Sequence, residues 1–332
     1  MTKNRAPRNR TLTVTEDESS FYKSKLIVPT RHLEINDILD KTICADLLDV
    51  LDLLPKSCVD LLVIDPPYNL DKNFHGLKFK QRDTESYLEY LQSWFPKLIR
   101  TLKPNGSVYI CGDWKSTSCL YQIMNEHTKI RNRITWQREK GRGAKTNWKN
   151  STEDIWFGTL SDDYYFDVES VKQKRKVIAP YRENGQPKDW YETEEGNFRL
   201  THPSNFWDDI SVPYWSMPEN TDHPTQKPEK LIAKLILASC PAGGLVLDPF
   251  LGSGTTSVVA KKLGRRYVGI EINEEYCIWA EKRLDKAEHD KEIQGYVGGV
   301  FWERNTLNSQ RSENDVTKHE KKGNKKTYEL FN

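Results

Sequence analysis

Two short stretches of the 332-residue sequence hold residue types suited to chemistry: Asp65-Pro66-Pro67-Tyr68, and DPFLGSGT from Asp248 to Thr255. In the second, Gly252 and Gly254 let backbone approach a ligand closely, and a helix following them directs unpaired N–H groups at whatever sits there. Glu271 closes the next strand, where an acid can accept hydrogen bonds from ribose hydroxyls. The combination reads as a nucleotide site. No Gly-Lys-Ser/Thr follows, which excludes a P-loop, and the third glycine of the dinucleotide pattern is missing. Asp65-Pro-Pro-Tyr68 reads either as a stiff surface turn or as a functional loop. An acid and an aromatic ring on the end of a buried strand favour the functional loop.

The elements that must position these loops alternate. Strands are expected at Thr42 to Ala45, Val59 to Ile64, Ser107 to Cys111, Asn132 to Gln137 and Glu153 to Gly158. A short helix through Leu54 and an amphipathic helix within TESYLEYLQSWFPKLIRTL fall between them, and a Pro-Asn-Gly turn precedes Ser107. After residue 222 the order resumes: helix Pro228 to Ser239, strand Leu245 to Leu247, helix Thr255 to Leu263, strand Tyr267 to Ile272, and a helix to about Lys286. This is the pattern of an α/β protein with a parallel sheet and crossover helices. Ligands in such sheets bind beyond the carboxyl ends of strands. Both loops follow strands, so they share that edge and can form one site.

The ends and the middle differ. Residues 1–25 are polar and basic and are expected to be disordered; 26–159 and 223–287 read as two halves of one domain. Between them, 160–222 is polar, aromatic-rich and expected to be irregular, and 288–332 is a charged extension. Lys and Arg total 50 against 48 Asp and Glu, so net charge gives no case for a polyanion and local clustering must supply it. The six Cys form no C-x-x-C pair, and no apolar run spans a membrane. A soluble cytoplasmic protein with reduced thiols and no metal cluster is expected.

At this point three motifs, in a set order over about 240 residues, resemble a family. DPPY at 65–68, HPTQKP at 223–228 and DPFLGSG at 248–254 are similar to motifs of amino-methylating DNA methyltransferases, in the order of their β group, the RsrI-like adenine-N6 enzymes. The resemblance implies a Rossmann-like, seven-stranded mixed sheet in circularly permuted order, with 160–222 as an inserted target-recognition region. It implies S-adenosylmethionine as cofactor and methyl transfer to the N6 amino group of an adenine flipped out of duplex DNA. Asp65 and the Pro66 carbonyl would each accept a hydrogen bond from the amine, Pro67 would stiffen the loop, and Tyr68 would stack on the base.

The same resemblance assigns Asp46, in CADLL, to the cofactor's adenine amino group and Glu271 to its ribose. Asp248, Phe250, Gly252, Ser253, Gly254 and Thr255 would surround its methionine part, and Lys227 with Pro228 would meet its carboxylate end. Read from residues alone, Asp46 is equally an ordinary strand-end acid, and His223 is a turn residue more readily than a general base. Trp136 is similar to the family's aromatic beside the flipped base, or a core residue of a half-buried strand. Residues 131–149 carry seven Lys or Arg against one acid, so Arg138, Lys140, Arg142 and Lys145 are candidates for phosphate contact, with a solvated surface run as the alternative.

Three other functions stay open, among them a small-molecule dehydrogenase, which leaves the Pro-Pro-Tyr loop unexplained. Cytosine-N4 enzymes commonly carry Ser where this chain has Asp65, and an inactive DNA-binding specificity subunit would have no need of Asp65, Tyr68, Gly252 and Gly254. The resemblance also admits a cognate restriction endonuclease and a homodimer as partners, which the residues do not specify.

Overall fold

The structure is a computed structural model that describes residues 5–70, 72–74, 77–79, 81–138, 147–177, 181–193, 196–304, 306 and 310. Its principal strands in chain order are β1 Lys41–Cys44, β2 Val59–Ile64, β3 Leu102–Gly112, β4 Lys129–Gln137 and β5 Thr152–Thr159. They continue with β6 Gln173–Lys176, β7 Tyr191–Thr193, β8 Gly196–Thr201, β9 Phe206–Trp207, β10 Leu245–Asp248, β11 Arg266–Glu271, β12 Tyr296–Val297 and β13 Val300–Trp302. The longer helices are α1 Glu16–Lys23, α2 Thr84–Ile99, α3 Thr117–His127, α4 Glu229–Ser239, α5 Thr255–Lys262 and α6 Glu274–His289.

The large sheet has the order β1-β11-β10-β2-β3-β5-β4-β9. Strands β1 through β3 in that order are parallel, and β5 runs antiparallel to both β3 and β4. Seven strands fit the expected mixed sheet, and the two-residue β9 adds an eighth at one edge. The permuted order shows in one pairing: Val246 and Leu247 of β10 lie opposite Leu61 and Leu62 of β2.

Alternation along β2 sends side chains to both faces of the sheet. Leu61 and Val63 share a core with Leu231, Ile232 and Val258 from α4 and α5, while Leu62 and Ile64 share the other with Leu91, Trp94 and Leu120 from α2 and α3. Each such aliphatic side chain stabilises the fold by about 1.5–3 kcal/mol through burial. Burial on two faces is why VDLLVI is apolar almost throughout.

Four sequence expectations are corrected. The strand expected from Ser107 begins at Leu102, and the residues around Pro104-Asn105-Gly106 form an irregularity in the β2–β3 ladder instead of a turn. The region expected to be irregular builds a second sheet, β7-β8-β6-β13-β12, whose last two strands come from the C-terminal extension.

The basic N-terminal residues are ordered from residue 5: Thr15 and Glu18 form a capping box at α1. Lys282 of α6 donates to the Thr13 carbonyl (2.8 Å), and the Leu12 N–H donates to the Asn220 carbonyl (2.8 Å). The expected disorder there fails because Leu12 is an apolar anchor, packed with Tyr276 and Trp279. Finally, Trp136 is core, as shown below. All six cysteines are free thiols, and no helix among the described residues is long and apolar enough to cross a membrane.

Candidate active site

Parallel pairing of β1, β11, β10, β2 and β3 puts their carboxyl ends on one edge of the sheet. Asp46 lies just beyond β1, Asp65 beyond β2 and Phe250 beyond β10, while Glu271 ends β11. These residues, with Pro66, Pro67, Tyr68 and Gly252, line a single cavity of about 290 Å³. The two motif loops therefore meet, although they are far apart in sequence.

One end of the cavity carries a polar cluster. Tyr68 Oη donates to Asp65 Oδ1 (2.9 Å), and Lys227 Nζ donates to Asp65 Oδ2 (2.6 Å) and to Tyr68 Oη (3.0 Å). Glu153 Oε2 lies 3.4 Å from the same ammonium. Burial works to lower the Lys227 pKa, yet Asp65 and Glu153 beside it carry it above the ordinary lysine value, which holds Nζ protonated. Burial, with the Asp65 charge adding, raises the Tyr68 hydroxyl well above its usual value, so it stays a donor. Tyr87 Oη donates to the Pro67 carbonyl (3.1 Å), which fixes the loop from behind.

The glycine loop is ordered by carboxylates. Asp248 accepts from Thr256 Oγ1 (2.5 Å) and from the Phe250 N–H (3.0 Å), and burial pushes its pKa up to about 7. Glu271 accepts from the Gly252 N–H (2.9 Å) and the Asn273 N–H (2.8 Å), one backbone donor on each oxygen. Each oxygen keeps a second lone pair for a ligand hydroxyl. Asp46 caps the short helix after β1, its Oδ1 accepting from the Leu48 N–H (2.9 Å).

Among the residues expected to hold cofactor, Asp46, Lys227, Phe250, Gly252 and Glu271 line the main cavity. Asp248, Ser253 and Thr255 line a small void of about 30 Å³ that shares Asp65, Lys227 and Gly252 with it. Arg283 donates to the Ser253 carbonyl (2.8 Å) and to Thr255 Oγ1 (3.0 Å), which ties both to the scaffold and leaves the Thr255 hydroxyl its own proton to donate. Pro228 caps α4. Gly254, at φ +87°, sits where a Cβ would come within 2.5 Å of the Ala280 Cβ, so its lack of a side chain serves the approach of α5 to α6.

Three expectations change. Lys227, expected at the cofactor's carboxylate end, is on Asp65 and Tyr68. Trp136 is 1% exposed with Nε1 donating to the Ile210 carbonyl (3.1 Å), so no face is offered to a base. Arg138 pairs with the buried Glu153 instead of turning to solvent. Lys140, Arg142 and Lys145 lie outside the described residues. His223 lines both cavities, its Nδ1 accepting from the Thr225 N–H (3.4 Å) and its ring meeting Tyr276 edge-on (4.5 Å).

Sequence reasoning missed three aromatic wall residues, Tyr90, Trp94 and Tyr276, as well as Glu153. Tyr90 and Trp94 are one helical turn apart on α2 and read there as an ordinary apolar stripe. Trp94 meets Phe250 edge-on (5.2 Å), so the stripe continues into the cavity wall.

Residues 59–282 match a family described as DNA methylase, of N6 and N4 type. The chain is 36% identical over 251 residues to the DNA adenine methyltransferase YhdJ of Escherichia coli K12, across 74% of this chain and 82% of that protein. It is 34% identical over 248 residues to the Type II methyltransferase M.HpaI of Haemophilus parainfluenzae, across 74% of each. In fold it is similar to the PvuII DNA methyltransferase, cytosine-N4-specific (TM-score 0.55, 17% identity, 75% of this chain and 89% of that one). A putative DNA modification methylase of Thermus thermophilus, solved with S-adenosyl-L-methionine, is also similar in fold (TM-score 0.51, 20% identity, 80% and 98%).

Proposed function

Because the chain belongs to the DNA methylase family, we propose that it transfers a methyl group from S-adenosylmethionine to the N6 amino group of an adenine flipped out of duplex DNA. The observation that carries this reading is the single cavity shared by Asp65, Tyr68, Gly252 and Glu271. The residues present fit that cofactor. Phe250, with Trp94 behind it, forms an aromatic wall suited to a purine, and Glu271 keeps lone pairs for two ribose hydroxyls. Asp46 on the same wall suits an exocyclic amine. When bound, the cofactor supplies an electrophilic methyl on a sulfonium.

The chain's own residues prepare the amine. Its lone pair is delocalised into the purine ring and becomes nucleophilic only as both N–H bonds are drawn into hydrogen bonds. Asp65 accepts one and the Pro66 carbonyl the other, on a loop stiffened by Pro67 and braced by Tyr87. Tyr68, tied at its hydroxyl to Asp65, presents its ring to the base. Stacking there, worth about 1–3 kcal/mol, offsets part of the few kcal/mol that flipping costs. Lys227 orients the carboxylate, and its hydrogen bonds to Asp65 and Tyr68 keep both in register.

The name of the adenine-specific relative supports adenine as target; a companion restriction endonuclease and a homodimer are proposed from the family resemblance alone. DNA would lie along the carboxyl edge. Register pairs Ile64 with Ile110, Gly112 with Asp154 and Gln137 with Thr152, so the cationic stretch after Gln137 leaves from the edge that carries Asp65. The test is nucleoside mass spectrometry of DNA exposed to protein and labelled cofactor. Labelled 6-methyladenine is expected; 4-methylcytosine alone overturns the adenine assignment, and no labelled base at all overturns the activity.

A further inference from the structure

The family match ends at residue 282 and α6 at His289, but the chain goes on to build β12 and β13. Gly298 and Gly299 both take positive φ (65° and 77°), as a two-residue hairpin turn requires. Strand β13 then pairs parallel with β6, placing Phe301 opposite Gln173 and Trp302 opposite Lys174. Phe301 is fully buried and Trp302 meets Phe198 of β8 edge-on (6.2 Å). Lys230 of α4 donates to the Trp302 carbonyl and to the Asp209 carbonyl (2.8 Å), so the tail, the insertion and the helix after HPTQKP are joined at one ammonium.

Two residues beyond the hairpin, Arg304 Nη2 donates to the carbonyls of Gln137 (3.0 Å) and Ile210 (2.8 Å). Trp136 Nε1 donates to the same Ile210 carbonyl (3.1 Å). Gln137 ends β4 at the catalytic edge, and the cationic stretch leaves from it. The next residue, Arg138, pairs with Glu153, and Glu153 lies 3.4 Å from the Lys227 ammonium that holds Asp65. A planar guanidinium shared by two carbonyls from different segments fixes their separation, which a flexible ammonium does less well.

We propose that residues 293–304 are the second half of the target-recognition module, and that Arg304 is a positioning residue that sets the base of the cationic stretch against the catalytic edge. This rests on the reading that duplex DNA is the substrate. Recognition is then assembled from two pieces of sequence on either side of the cofactor half. Choice of methylation site depends on a residue that touches neither cofactor nor the reacting atoms.

The experiment compares full-length wild type, Arg304→Met and Arg304→Lys. Modified bases are mapped by sequencing treated genomic DNA, with kcat and KM measured on the preferred duplex and S-adenosylhomocysteine binding measured by calorimetry. Arg304→Met should raise KM for DNA, or lower the ratio of preferred to near-match methylation, by about tenfold, the scale of one lost charge-assisted hydrogen bond. Binding of S-adenosylhomocysteine and kcat at saturating DNA should stay within about threefold, and Arg304→Lys should fall between. Where Arg304→Met does not fold, Arg304→Lys carries the test with the same sign. Unchanged KM and site choice in a folded variant, or a loss traced to cofactor binding alone, overturns the proposal while leaving the enzyme's activity standing. A wild type that methylates no DNA overturns both.

Discussion

Lys227 Nζ lies 2.6 Å from Asp65 Oδ2 across 162 positions of sequence, and the same ammonium reaches Tyr68 Oη at 3.0 Å. A residue that the motif HPTQKP places at the start of a helix is thereby committed to the catalytic loop. Removing one partner of a buried charge pair typically costs about 3–5 kcal/mol, and here the cost falls on the orientation of Asp65.

Lys227→Met should therefore lower kcat by about a hundredfold or more while leaving the affinity for S-adenosylhomocysteine within about threefold. Lys227→Arg, which keeps the charge, should recover part of kcat. Stopped-flow and calorimetry separate the two effects. A large loss of cofactor affinity with kcat preserved would instead place Lys227 at the cofactor's carboxylate, as the motif alone suggests.

Asp65→Ala should abolish turnover and leave cofactor affinity nearly unchanged, because the carboxylate acts on the target amine. A variant retaining about a tenth or more of wild-type kcat contradicts that role.

The two loop glycines should respond differently. At Gly252, φ +54°, a Cβ would stand 3.1 Å from His223 Nε2, so Gly252→Val should displace the cavity wall and abolish cofactor binding. Gly254→Ala drives a methyl against Ala280 and should lower stability by about 1–3 kcal/mol, read as an earlier urea midpoint. Equal effects of both on cofactor affinity and stability would contradict the division of roles.

Much of this site is legible in sequence because its parts are local. An apolar strand with an acid at its end can be seen in VIDPPY and again in GLVLDPF, and parallel pairing brings such ends together. The bonds of Lys227 to Asp65 and Tyr68, and the burial of Trp136, have a tertiary origin: the direction of a lysine leaving a helix start, or which face of a half-buried strand is covered, depends on segments elsewhere in the chain. The Trp136 indole N–H finds its acceptor in Ile210, 74 positions on, and the ring shares a core with Trp207 and Ile210 of the insertion. The second sheet escaped notice because its strands are two to six residues long and mostly polar, and its β13 comes from beyond the cofactor half. The N-terminal arm is anchored by scattered single residues, Leu12 and Tyr22, within polar sequence, which leaves no periodic apolar pattern to read.

Stability should depend on pH through two buried acids. Burial raises Asp248 to about 7, and burial with Glu229 nearby raises Glu219 to about 7. Between the unfolded values near 4 and about 7, the folded chain keeps protons that the unfolded chain releases. Their contribution is complete at the acid end and is lost as pH rises through about 7. Asp248→Asn should flatten the change in melting temperature between about pH 5 and pH 8 relative to wild type. Identical slopes for the two proteins would contradict the assignment.

The most direct measurement of the central claim is a crystal structure of the protein with S-adenosylhomocysteine. Purine density is expected against Phe250, with ribose hydroxyls on Glu271 and the sulfur facing the Asp65-Pro-Pro-Tyr68 loop across a gap wide enough for an amine. Cofactor bound outside this cavity, or with its sulfur turned away from Asp65, would contradict it.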